Sequence, residues 1–118
     1  MAEEDYGANA RRAKLENFDP NNNGLQDQGI FGLPFTPGES KIVLMPVPWE
    51  VTVSFQEGTL KGAETILQAS HQLDLYDDHC HEPWKVGIAM DEISEGWKDL
   101  SREFRAKAKY NIDYLEGR

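Results

Sequence analysis

The first clear hydrophobic pattern in this chain begins at Lys41. Ile42-Val43-Leu44-Met45-Pro46-Val47 is an unbroken apolar run, rich in β-branched residues and stopped by prolines. It predicts a strand buried on both faces. A loop from Pro48 to Lys61 follows. Beyond it Ala63, Ile66, Leu67, Ser70 and Leu73 or Leu75 fall near the i, i+3, i+4, i+7 spacing of a helix, predicted over about 62–73. Gly62 is expected to leave the loop with positive φ, and Glu64 in the first turn suits the helix dipole. Strand, loop and helix open a βαβ unit, and open α/β sheets form ligand sites where loops leave the carboxyl ends of strands. The loop 48–61 is therefore the first place to look for function.

Elsewhere the patterns are weaker. Residues 1–17 are polar, and Ala8, Ala10, Ala13 and Leu15 give only a thin apolar stripe, fitting a frayed helix or a mobile tail. Asp19-Pro20-Asn21-Asn22-Asn23-Gly24 predicts a turn or loop. Ile30 to Phe35, interrupted by Gly32 and Pro34, reads as an irregular segment laying its aromatics on the domain surface. Val51, Val53 and Phe55 alternate with Thr52 and Ser54, as in a strand, but Pro46 and Pro48 spoil a hairpin turn, favouring an extended loop. Trp84 to Met90 holds one short strand. Ser94 can cap a last helix whose stripe is Trp97, Leu100, Phe104, Ala108, Ile112 and Leu115.

These elements do not close a sheet. A parallel-type strand needs backbone partners on both edges and helices over both faces. The expectation is an incomplete α/β fold that other residues or another chain complete.

Composition narrows the classes. The 118 residues allow one domain with a modest core, and 28% charged with 39% apolar residues is an ordinary globular balance. A formal charge of −9 disfavours nucleic acid. Cys80 is the single cysteine, so no intrachain disulfide forms; with an acidic N-terminus and no long apolar run, a cytoplasmic protein without membrane contact is expected.

Asp77, Asp78, His79, Cys80, His81 and Glu82 offer every ligand type zinc accepts. The groups are adjacent, and no second Cys/His segment supplies the rest of a tetrahedral set, so a solvated loop is the better reading. Trp49, Trp84 and Trp97 lie beside apolar periodic residues and fit core or subunit contacts. No Gly-Lys-Ser/Thr follows the loop glycines, which leaves a nucleotide cradle without support.

Val-Leu-Met-Pro-Val-Pro-Trp-Glu-Val-Thr-Val-Ser, then Glu-Gly-Thr-Leu-Lys-Gly-Ala-Glu-Thr-Ile-Leu-Gln-Ala-Ser, resembles the first strand, loop and helix of the ureohydrolase superfamily, which includes arginase, agmatinase and formiminoglutamase. The agmatinase-like branch is nearest. Gly58 and Gly62 keep the family's glycine spacing, Ala69-Ser70 its helix end, and Leu73, Tyr76 and Asp77 its Leu-x-x-Tyr-Asp pattern. Ala63 stands where proline is usual, and Met45-Pro46 where Leu-Gly is usual.

The resemblance implies a three-layer α/β/α fold with a parallel sheet, begun within 41–118 after a polar tail and irregular lead-in over 1–40. It implies two manganese ions activating a hydroxide that attacks a guanidinium carbon. The family's ligand motifs, Gly-Gly-x-His, Asp-Ala-His-x-Asp and Ser-x-Asp-x-Asp-x-x-Asp-Pro, do not occur in this sequence. No catalytic residue or metal ligand therefore transfers. Glu50, Thr52 and Ser54 stand in the loop that approaches the cleft mouth in the family; they are candidate substrate contacts, although loop hydroxyls more often bond nearby backbone. Gly58 and Gly62 are expected to be conformational. The expected partners are the rest of a ureohydrolase domain, within a homo-oligomer. The alternative is a non-catalytic module completing another chain's sheet, and a small metal protein using 77–82 is a distant third.

Overall fold

The computed structural model describes residues 5–22 and 29–118. The Asn23-Gly24 part of the expected turn lies outside them. In chain order the regular elements are α1 (Ala8–Glu16), β1 (Ile42–Leu44), α2 (Gly62–Ser70), β2 (Ile88–Met90) and α3 (Glu95–Leu115), with short 3₁₀ turns at Ile30–Gly32, Pro37–Glu39, Thr59–Lys61 and Pro83–Val86. The chain divides into two compact units, one within Met1–Met45 and Ile66–Asp91, the other Pro46–Thr65 and Glu92–Arg118.

The first unit is organised by a two-stranded parallel sheet. Ile42 pairs with Ile88, Val43 with Ala89 and Leu44 with Met90. The Asp91 amide extends the ladder, donating to Leu44 O at 2.9 Å. Strand, helix and parallel strand occur in the expected order, so an α/β arrangement with an incomplete sheet is present. β1 is shorter than the predicted Ile42–Val47, because Pro46 and Pro48 have no amide to donate. Nor is it buried on both faces: Ile42 and Val43 are nearly half exposed, and Met45 and Val47 more so. Among the described residues β1 is paired along one edge, with β2.

Instead the core of this unit sits on the segment expected to lie on its surface. Ile30, Leu33, Phe35 and Ala89 are the buried apolar side chains. Phe31 turns through φ 60° to bring its neighbours inward, and its amide donates to Ser70 Oγ at 2.9 Å. Ser70 Oγ in turn donates to Leu67 O. α2 thus ends at Ser70, three residues before the predicted limit, while i→i−3 bonds from His71, Gln72 and Leu73 continue the turn to about 73.

α1 is a formed helix, yet its thin apolar stripe does not hold it. Arg11 is buried, and its guanidinium donates to both Asp5 oxygens and, at 2.8 Å, to Glu39 O. Lys14 Nζ donates to Pro34 O at 2.9 Å and to Glu39 Oε1 at 2.6 Å. The Lys14 bond, followed by those from the Thr36 amide and hydroxyl, lowers the Glu39 carboxyl to a pKa of about 2. Gly87, at φ 77°, lets this layer close: a Cβ there would stand 2.7 Å from Arg11 Cδ and 3.0 Å from Ser40 Cα.

In the second unit α3 starts as read, with Ser94 Oγ accepting the Trp97 amide at 3.2 Å. Its buried residues are Lys98 and Ser101, whereas Trp97, Leu100 and Phe104 are all at least two-fifths exposed. No helix among the described residues is long and apolar enough to cross a membrane.

Candidate functional site

The loop from Pro48 to Lys61 forms no strand, in line with the extended-loop reading, and it is closed by Glu50 from within and by side chains of α3. Trp49 starts it, meeting the Trp97 ring edge-on and the Phe104 ring at a tilt, each with centroids 6.0 Å away. Such contacts between rings fix a chain entry point more firmly than aliphatic ones.

Glu50 follows and is buried. Its amide donates to Ser101 Oγ of α3 at 2.8 Å. One carboxylate oxygen accepts the Gly58 amide at 2.6 Å, the other the Leu60 amide at 3.1 Å. These are the leading amides of the Thr59–Lys61 turn, which runs directly into α2. A carboxylate there satisfies donors that lack an intrahelical acceptor and suits the positive end of the helix dipole. Glu50 therefore acts as a remote helix cap that draws the two limbs of the loop together.

Arg105, one turn beyond Ser101, holds the outer part of the loop. Its Nη1 donates to Val51 O at 3.0 Å and also to Val53 O. Nε and Nη2 both reach Glu57 Oε1, at 3.2 and 2.9 Å. Lys98 completes the line, pairing with Glu64 in the first turn of α2 and, at 3.3 Å, with Glu95. The hydrogen bond between them lowers the Glu64 carboxyl pKa and raises that of the Lys98 ammonium.

The sequence-selected residues thus divide. Glu50 turns inward onto loop amides, whereas Thr52 and Ser54 are exposed. Gly58 adopts φ 146°, a conformation that favours glycine, but Gly62 sits at φ −58° and ψ −43° inside the helix. The positive-φ expectation for Gly62 is corrected: the turn is made four residues earlier, so Gly62 has only to continue a helix already begun. Ser101, Arg105, Lys98 and Glu57 are functional partners that the sequence does not single out. Three of them carry one signal, the 98, 101, 105 spacing that lays a polar line beside the apolar stripe of α3; Glu57 has none.

The 77–82 segment behaves as a local turn. Asp77 Oδ1 accepts the amides of His79 and Cys80, at 2.7 and 2.9 Å, and Cys80 is exposed. Glu82 pairs with Lys85, whose hydrogen bond lowers its pKa. Among the described residues no three His, Cys, Asp or Glu side chains are grouped to hold a metal. Asn21, Asn22, His71, Gln72 and Asp74 are among the residues lining an open polar hollow of about 260 Å³ in the first unit.

Against known proteins, no family model matches the chain and no solved structure matches it. Two curated sequences do. The N(1)-aminopropylagmatine ureohydrolase of Synechocystis is 37% identical over 49 positions, covering 37% of this chain and 16% of the relative. The N(1)-aminopropylagmatine ureohydrolase of Thermus thermophilus is 41% identical over 91 positions, covering 65% of this chain and 31% of the relative. The matched stretch spans less than a third of the length of either relative. Both are ureohydrolases by name, so the matched part of this chain is similar in sequence to the ureohydrolase superfamily, nearest its agmatinase-like branch.

Proposed function

We propose that this chain supplies the first strand, the cleft-rim loop and packing helices of a ureohydrolase that cleaves a guanidino C–N bond. In this reading β1 joins the parallel sheet of an arginase-like three-layer α/β/α domain. The loop 48–61, with Thr52 and Ser54 exposed on it, borders the substrate cleft. The supporting observation is the 41% identity to a named ureohydrolase over 91 positions. The names of the relatives make N(1)-aminopropylagmatine, or agmatine itself, the first compounds to try.

Manganese, which the family resemblance implies, does not fit the residues described: the three ligand motifs are absent from the sequence and no ligand triplet is grouped. The hydrolytic centre is assigned to residues outside this sequence, within a cytoplasmic homo-oligomer. The test is urea release from agmatine and N(1)-aminopropylagmatine by the natural gene product, with manganese supplied. Urea release is expected; its absence from a folded product would overturn the proposal.

A second reading is favoured by the single paired edge of β1 among the described residues. There the chain is a non-catalytic module that adds its strand to a partner's sheet. A stable partner co-purifying with a product that ends at Arg118 would support it; a monomer with β1 amides protected from exchange would not.

A further inference from the structure

We propose that Arg105 is the positioning residue of the rim loop, fixing its backbone from α3 so that the tip Ser54–Gln56 is presented to substrate in one conformation. What the loop meets rests on the ureohydrolase reading above; the fastening rests on geometry alone. The guanidinium makes four hydrogen bonds to the loop, to the carbonyls of Val51 and Val53 on one limb and to Glu57 on the other. Carbonyls two residues apart, converging on one nitrogen, leave the loop no register in which to slide.

The planar fork is what permits this, since a lysine ammonium has neither the spread nor the fixed angles to hold both limbs. The Arg105 side chain is only 19% exposed, so its bonds to the Val51 and Val53 carbonyls are sheltered from water and salt, whereas the pair with Glu57, itself 66% exposed, lies at the surface. Glu50 closes the base of the same loop through Gly58 and Leu60. Between the two fastenings Phe55 is 97% exposed. A loop pinned at base and limbs, with an aromatic ring held out at its tip, suits an elongated cationic substrate, because ammonium and guanidinium groups are attracted to ring faces.

The test compares Arg105→Gln and Arg105→Lys with the unsubstituted protein. Amide hydrogen exchange at Glu50, Gly58 and Leu60, the bonded amides of the loop, is expected to rise at least tenfold in Arg105→Gln and by less in Arg105→Lys, with β1 and β2 unchanged. Equal exchange in all three proteins would overturn the fastening. In the urea-releasing gene product, Arg105→Gln is expected to raise KM for N(1)-aminopropylagmatine several-fold with kcat within twofold, and Arg105→Lys to recover part of the loss. A fall in kcat at unchanged KM would overturn the substrate-positioning role. No urea from the unsubstituted product would overturn the ureohydrolase reading and the substrate half of this proposal, while exchange would still decide whether Arg105 fixes the loop.

Discussion

Ser101 Oγ accepts the amide of Glu50 at 2.8 Å, and both residues are buried. A serine in the middle of a 21-residue helix thereby satisfies a loop amide that has left the range of strand pairing. The same loop residue then spends its carboxylate on two further amides. The loop 48–61 is thus held largely through its backbone amides and carbonyls, and its exposed hydroxyls are not what shapes it.

Ser101→Ala strands the buried Glu50 amide, and an unmet buried donor costs about 1–3 kcal/mol. Urea unfolding followed by tryptophan fluorescence is expected to show a loss of that size with an unchanged m-value. The transition is well reported because Trp49 and Trp97 flank the site.

Glu50→Ala removes the acceptor of the Gly58 and Leu60 amides, so both should exchange with solvent faster, with a stability loss of about 1–3 kcal/mol. Thr52→Ala and Ser54→Ala, at exposed positions, should change stability by less than about 0.5 kcal/mol. Exchange at Gly58 and Leu60 unaltered by Glu50→Ala would remove Glu50 from its capping role.

The Glu39 carboxyl titrates at about 2 in the folded chain, against an ordinary value of 4.5. A folded pKa held low means the unfolded chain takes up the proton first. The stabilisation is complete above about pH 4.5 and is lost as pH falls toward 2. Denaturant midpoints measured from pH 6 to pH 2 should fall through that window, and the fall should be shallower in Glu39→Gln, which is already weakened at neutral pH.

Gly87→Ala meets two obstacles, the positive φ of 77° and atoms of Arg11 and Ser40 within 3.0 Å of the new methyl. A loss of about 1–3 kcal/mol is expected, read as a lowered Tm. Gly38→Ala serves as the control, since nothing lies within 4 Å of its added Cβ.

The legible parts of this fold were those where local pattern and tertiary role coincide. Ile42–Leu44 begins where its β-branched run begins, and Ser94 caps α3 because a hydroxyl before a helical run has an obvious use. The strand stops short of its apolar run because apolar character continues to Val47 while hydrogen-bonding capacity does not. Gly62 stands nearest the helix, yet the positive-φ turn is at Gly58. The segment around Ile30 and Phe35 looked too broken for a core, since periodicity cannot register a single bend at Phe31 that turns its neighbours inward. Arg105 and Ser101 were hidden for a related reason. Their roles depend on carbonyls and amides some fifty residues away in sequence, and those carry no side-chain signature.

The way α1 is attached has a thermal consequence. Apolar burial loses strength as water is chilled, whereas a guanidinium or ammonium seated on oxygens does not depend on that driving force. Fastened mainly through Arg11 and Lys14, the N-terminal helix keeps its attachment on cooling, and its grip depends on the carboxylates of Asp5 and Glu39 staying charged.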